Sequence, residues 1–183
     1  MRRLPVILLC ALMVAPAAFA AGRATGDGVL ELKAVYGTVQ FGKEGQPARG
    51  ALWGQMDKGK LVVTDPVATD PQTIFVSGWE HKSPPTVLDT GATVTTYWGS
   101  NLHFRVTGGK YRLLFSGQGL DLTAIGVGVA YLNGDDDVLD PGYFARDSGD
   151  WQPIPLASPT TGVRGVPVPF GTQPPPPTTT TTP

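Results

Sequence analysis

From Gly28 to Trp151 apolar residues recur at every second position in short runs punctuated by glycine, and no stretch carries a helical stripe. A period of two sends successive side chains to opposite faces of a strand, so each such run has one face to bury. Leu30, Leu32 and Ala34 share one face of the first run while Glu31 and Lys33 share the other, and Val39 with Phe41 continues the inward set. Leu61 and Val63, Phe75, the trio Leu102, Phe104 and Val106, and the trio Tyr111, Leu113 and Phe115 complete the expected core. The spacing predicts about ten strands in one all-β domain over 27–151, an antiparallel β-sandwich or barrel-like fold. A short β-solenoid is the alternative. It is the weaker one, because Gly50, Gly54, Gly59, Gly117, Gly119, Gly126 and Gly128 recur without a fixed period.

Turn chemistry divides the strands. Asp57-Lys58-Gly59 and Gly108-Gly109 read as hairpin turns, and Asn133-Gly134 as a further turn. Asp65-Pro66, Asp70-Pro71 and Ser83-Pro84-Pro85 stop strands, since proline has no donor for a ladder. After Trp151 the pattern changes: more than half of the 18 prolines follow it, and the chain closes on four prolines and a threonine run. Residues 152–183 are therefore expected to form an extended, disordered tail outside the domain.

Residues 1–20 read as a secretory signal, with Met1-Arg2-Arg3 as its cationic head, Leu4 to Val14 as its apolar run and Ala18-Phe19-Ala20 before the cleavage point. The expected location is secreted or extracytoplasmic, in the cell envelope. No apolar run is long enough for a transmembrane helix. The one cysteine, Cys10, falls inside the signal, so the mature domain must hold together by burial without a disulfide. Two of the 14 Lys and Arg residues lie in the cationic head and 15 Asp and Glu face the rest, a balance that argues against nucleic acid as a partner.

Four motifs invite chemistry. Asp89-Thr90-Gly91, set between apolar residues, resembles the catalytic loop of aspartic proteases, where two such carboxylates share a proton; one copy would require a dimer, and the same tripeptide is ordinary turn chemistry. Asp135, Asp136, Asp137 and Asp140 could offer oxygens to calcium, although the spacing does not match an EF-hand and a solvated acidic turn is the expected reading. A two-residue loop at Gly108-Gly109 would set Arg105 across from Arg112 with His103 nearby, making either a pair of arginines relieved by Asp121 or a small anion patch. Trp53, Trp79, Trp98 and Trp151 are expected mainly to pack, with Trp98 the exception, because Tyr97 and Trp98 point to opposite faces and one of them must be exposed. Tyr97, Trp98, His103, Arg105 and Arg112 are thus the candidate ligand-binding residues. No cofactor is expected: His81 and His103 are the only histidines, too few for a zinc site.

The run Thr96 to Val106, then Gly108-Gly109 and Ser116 to Gly128, resembles a group of short secreted β-domain proteins of unknown function from high-GC actinobacteria. The resemblance implies one compact β domain and carries no chemistry; the Pro/Thr tail and the Asp-Thr-Gly loop depart from the group. The expected function is a non-enzymatic β module of the envelope, with a cell-wall polysaccharide or an envelope protein as partner. A carbohydrate-binding module and a dimeric aspartic-type protease are the alternatives.

Overall fold

The computed structural model describes residues 24–67, 69, 73–134, 140–147, 149–156 and 165–172. Among them every regular element is a strand: β1 (Gly28–Phe41), β2 (Ala48–Asp65), β3 (Thr73–Ser77), β4 (His81–Lys82), β5 (Thr86–Val87), β6 (Thr93–Thr107), β7 (Lys110–Gly134), β8 (Gly142–Arg146), β9 (Gln152–Pro153) and β10 (Val166–Phe170). They form one sheet in the order β3-β6-β2-β7-β1-β8-β9, with β10 joined to β7 and the short β4 and β5 joined to β6. The order is open, so the sheet does not close into a barrel. Partner numbers fall as strand numbers rise, from Gly28↔Gly126 to Phe41↔Leu113 along β1 and from Arg49↔Val127 to Thr64↔Arg112 along β2, which makes both pairings with β7 antiparallel in run.

The sheet is folded on itself. Leu52 pairs with Val106, and Thr64 pairs with Arg112. A straight strand would put the twelve steps from Leu52 to Thr64 about 40 Å apart, whereas the six steps from Val106 to Arg112 span about 20 Å at most. β2 must therefore bend. The ring of Phe104, in register with Gly54, lies 4.7 Å from that of Phe115, in register with Leu61, so the two arms of the bent sheet face each other. Leu30, Leu32, Leu52, Met56, Leu102 and Leu122 line one arm, and Phe41, Leu61, Leu113, Phe115 and Leu132 line the other, all buried. This is the sandwich the alternation predicts, made from one sheet with long strands passing through both arms.

The crease is a row of glycines. Gly37 pairs with Gly134 on one side and Gly117 on the other, Gly117 pairs with Gly59, and Gly59 pairs with Gly99. The backbones meet more closely here than side chains permit: a Cβ on Gly59 would lie 2.8 Å from Cα of Gly117, and one on Gly117 would lie 2.7 Å from Cα of Gly59. Glycines with no period along the chain thus line up across it.

The crease also explains where the turn assignments fail. Asp57-Lys58-Gly59 does not reverse the chain but sits at the bend inside β2. Gly108 and Gly109 do take positive φ, 71° and 70°, yet β6 and β7 are not ladder neighbours, since β2 lies between them. Their link carries the chain from one arm to the other. The expected pairing of Arg105 with Arg112 is therefore absent: Arg105 pairs with Trp53 and Phe75, and Arg112 with Thr64. Phe75 is the one expected core residue that is not buried, being 60% exposed. The inward face of β3 belongs to Ile74 and Val76, which pack against the core.

The domain runs past Trp151. Ile154, Val168 and Phe170 are buried, and the Phe170 ring meets that of Phe41 edge-on at 6.0 Å. Five residues of β10 pair with Gly128 to Leu132, and Thr172 N donates to Gly26 O at 2.7 Å. Proline abundance hid this strand, but Pro167 and Pro169 alternate with Val166, Val168 and Phe170, and an edge strand needs ladder donors only at every second residue. Residues 1–23, 157–164 and 173–183 lie outside the described residues, and with them the signal and most of the tail. Among the described residues no helix is long and apolar enough to cross a membrane.

Two variants test this architecture. Gly117→Ala forces a methyl into the facing backbone and is expected to cost at least about 3 kcal/mol of unfolding free energy; Gly45→Ala, with open space around it and φ of 73°, is expected to cost about 1 kcal/mol. Urea titration of both separates crease from loop. Tyr111 is fully buried with no hydrogen-bond partner for its hydroxyl, and burial pushes its phenol well above the usual tyrosine range. Removing an unpaired buried hydroxyl abolishes a desolvation penalty, so Tyr111→Phe is expected to leave stability unchanged or raise it by about 1 kcal/mol, read by the same titration.

Candidate ligand-binding face

Alternation about the buried residues of the first arm fixes what its outer face presents. β1 turns out Glu31, Lys33 and Val35; β2 turns out Trp53, Gln55 and Asp57; β6 turns out His103 and Arg105; β7 turns out Asp121 and Thr123. Where β2, β7 and β1 approach the crease, these side chains line a groove of about 570 Å³ that includes Lys33, Tyr36, Gln55, Asp57, Gln118 and Asp121. Tyr36 pairs with Gln118, Lys33 with Asp121 and Gln55 with Asp121, so the ladder brings together three segments distant in sequence.

The polar groups of this groove are uncommitted. Among the described residues Gln55, Asp57, Gln118 and Asp121 make no side-chain hydrogen bond or ion pair. Lys33 stands directly across from Asp121, yet its Nζ lies over the Trp151 ring, 5.8 Å from the centroid. That cation–π contact leaves the Asp121 carboxylate open to the groove. Asp57 fills space that a glycine leaves: Gly119 has φ of 65°, and a Cβ there would collide with the Asp57 side chain, 2.7 Å from its Cβ. Tyr36, 43% exposed, supplies a flat apolar surface beside two carboxylates and two carboxamides. Such a set can accept from and donate to several neighbouring hydroxyls at once.

The residues singled out from sequence are not brought together. Trp98 and Arg112 belong to the second arm, His103 and Arg105 to the first. Trp98 is exposed, as expected, and Tyr97 turns inward against the core with Lys82 Nζ 5.4 Å from its ring centroid. Trp53, Trp79 and Trp151 are also exposed, against the expectation that they pack inside; the core is filled by leucine and phenylalanine, and the indoles fall at outward positions. Arg112 keeps a buried Nε without a partner beside Gln40 and Thr64. Asp121 faces Lys33 and Gln55, not an arginine.

Asp89 is exposed in a tight turn closed by Leu88 N donating to Ala92 O and Gly91 N donating to Leu88 O, each at 2.8 Å. Asp140 Oδ1 accepts from Gly142 N at 2.9 Å, a turn-capping bond, while Asp135, Asp136 and Asp137 lie outside the described residues. Among the described residues no three His, Cys, Asp or Glu side chains gather as a metal site. The groove residues were missed because their signal is not local. Alternation alone marks Gln55, Asp57 and Asp121 as outward, but only the ladder order shows that they share one groove with Tyr36.

Comparison with protein-family models, curated proteins and solved structures finds no match for the chain.

The placement of Asp57 has a direct test. Gly119→Ala must move the Asp57 carboxylate and strain a left-handed residue, so a loss of roughly 1–2 kcal/mol in unfolding free energy is expected. Asp57→Ala in the same background should return part of that loss by removing the collision, and a double-mutant cycle in urea reads the coupling.

Proposed function

We propose that the chain is a non-enzymatic β module of the cell envelope or its exterior that binds polysaccharide through the groove beside the crease. The observation that carries this reading is the unpaired set Gln55, Asp57, Gln118 and Asp121 around the exposed ring of Tyr36. Carboxylates and carboxamides match the hydroxyl-rich edges of a sugar, and an exposed aromatic face matches its apolar C–H side. An export signal at residues 1–20, expected from sequence, would bring the module to where such polymers lie. Catalysis through Asp89 would need a second carboxylate from another copy, and the hydrogen bonds of its turn already account for the tripeptide.

The test is affinity electrophoresis of the mature protein through gels containing soluble glucan, xylan or mannan, beside a pull-down with isolated cell envelope. At least one polymer is expected to retard the protein. Tyr36→Ala should weaken that retardation about tenfold, and Trp98→Ala, on the other arm, should leave it unchanged. Equal behaviour of the two variants, or no retardation by any polymer or envelope fraction, overturns the proposal.

A further inference from the structure

Outside the groove the same face continues as two rows fixed by register. One runs Phe75–Arg105–Trp53–Thr123–Glu31 and the other His103–Gln55–Asp121–Lys33–Tyr143. Gln55, Asp121 and Lys33 belong both to the second row and to the groove, so the two features are continuous. Phe75 and Trp53 stand two ladder spacings apart, about 10 Å, with Arg105 between them, and β3 to β8 spans five spacings, about 24 Å. Trp53 is 41% exposed and Tyr143 is 44% exposed. Phe75 and Trp53, both exposed and separated only by Arg105, make an apolar platform rimmed by polar residues, the kind of surface that marks an interaction site.

From this we infer that the ligand is an extended, neutral glycan chain lying across the strands, with Tyr36 and the groove amides holding one part and the Trp53–Phe75 platform holding another. The inference rests on the polysaccharide reading and adds the length and charge of the ligand. Length follows from the strip, which is several sugar rings long rather than one. Neutrality follows from its charges. Lys33 and Arg105 are matched by Glu31 and Asp121, interleaved along the rows rather than segregated, and Asp57 adds a further negative charge in the groove. The Lys33 ammonium is already engaged by the Trp151 ring. A polyanion would find no surplus of cations here, whereas a neutral chain meets unpaired donors and acceptors flanked by rings.

Isothermal titration with cello-, xylo- and manno-oligosaccharides of two and six units, and with polygalacturonate as a polyanion, tests this. A six-unit chain of one series is expected to bind at least about tenfold more tightly than its two-unit form. Trp53→Ala and Phe75→Ala should each remove most of that advantage and leave the two-unit affinity unchanged; both side chains are exposed, and a thermal melt checks that each variant stays folded. Raising sodium chloride from about 50 to 500 mM should alter six-unit affinity by less than about twofold. Equal affinity for the two lengths, with Tyr36→Ala still weakening both, overturns the extended strip while leaving the groove reading intact. Salt-sensitive binding of polygalacturonate alone overturns neutrality. Binding of no sugar at all overturns this inference together with the function on which it rests.

Discussion

Close approach of backbone to backbone at Gly37–Gly134 and Gly59–Gly117, in the row of paired glycines that runs on to Gly99, is the constraint on which the rest of this molecule depends. A sheet of long strands buries one face only if something covers it, and here the cover is the other half of the same sheet. The bend that makes this possible demands positions without a Cβ in neighbouring strands at one level. Remove one, and the arms cannot meet at the spacing that lets Phe104 touch Phe115. Gly37, Gly59 and Gly117 also take positive φ, so each is required both by its own conformation and by the alignment it shares.

The groove is a by-product of that geometry. Side chains on the outer face of a bent sheet splay apart as they near the crease, and β1, β7 and β2 open there between Tyr36, Asp57 and Gln118. Gly119 adds a local condition, since its missing Cβ is the space the Asp57 side chain occupies. Fold and candidate site thus share one cause: glycines at the bend shape the core on the inside and the recess on the outside.

Much of the core was legible because burial imposes a period the eye can follow. Leu30, Leu32, Leu102, Phe104 and Val106 are buried as their alternation requires. Strand order was not legible. Gly108-Gly109 has the composition of a hairpin and the φ angles of one, but whether the flanking strands pair depends on β2, which is more than forty residues earlier in the chain and outcompetes the local partner. The same holds for the groove, whose three short segments lie far apart in the sequence. Val168 and Phe170 were obscured for a different reason: a Pro-rich background looks like a solvated tail unless the apolar residues between the prolines are counted separately.

The prolines of β10 have a consequence of their own. An open sheet presents two margins where unpaired peptide groups can recruit a strand from another molecule, the first step toward fibrous assembly. One margin of this sheet ends on β9, with Pro153, and β10, which borders β7 off the main path, carries Pro167 and Pro169, while the opposite margin ends on β3, which has no proline. A proline offers an incoming strand a ring in place of a donor. At crowded concentrations β9 and β10 therefore act as terminators of lateral growth, and β3 is left as the margin of the described sheet where another strand can add.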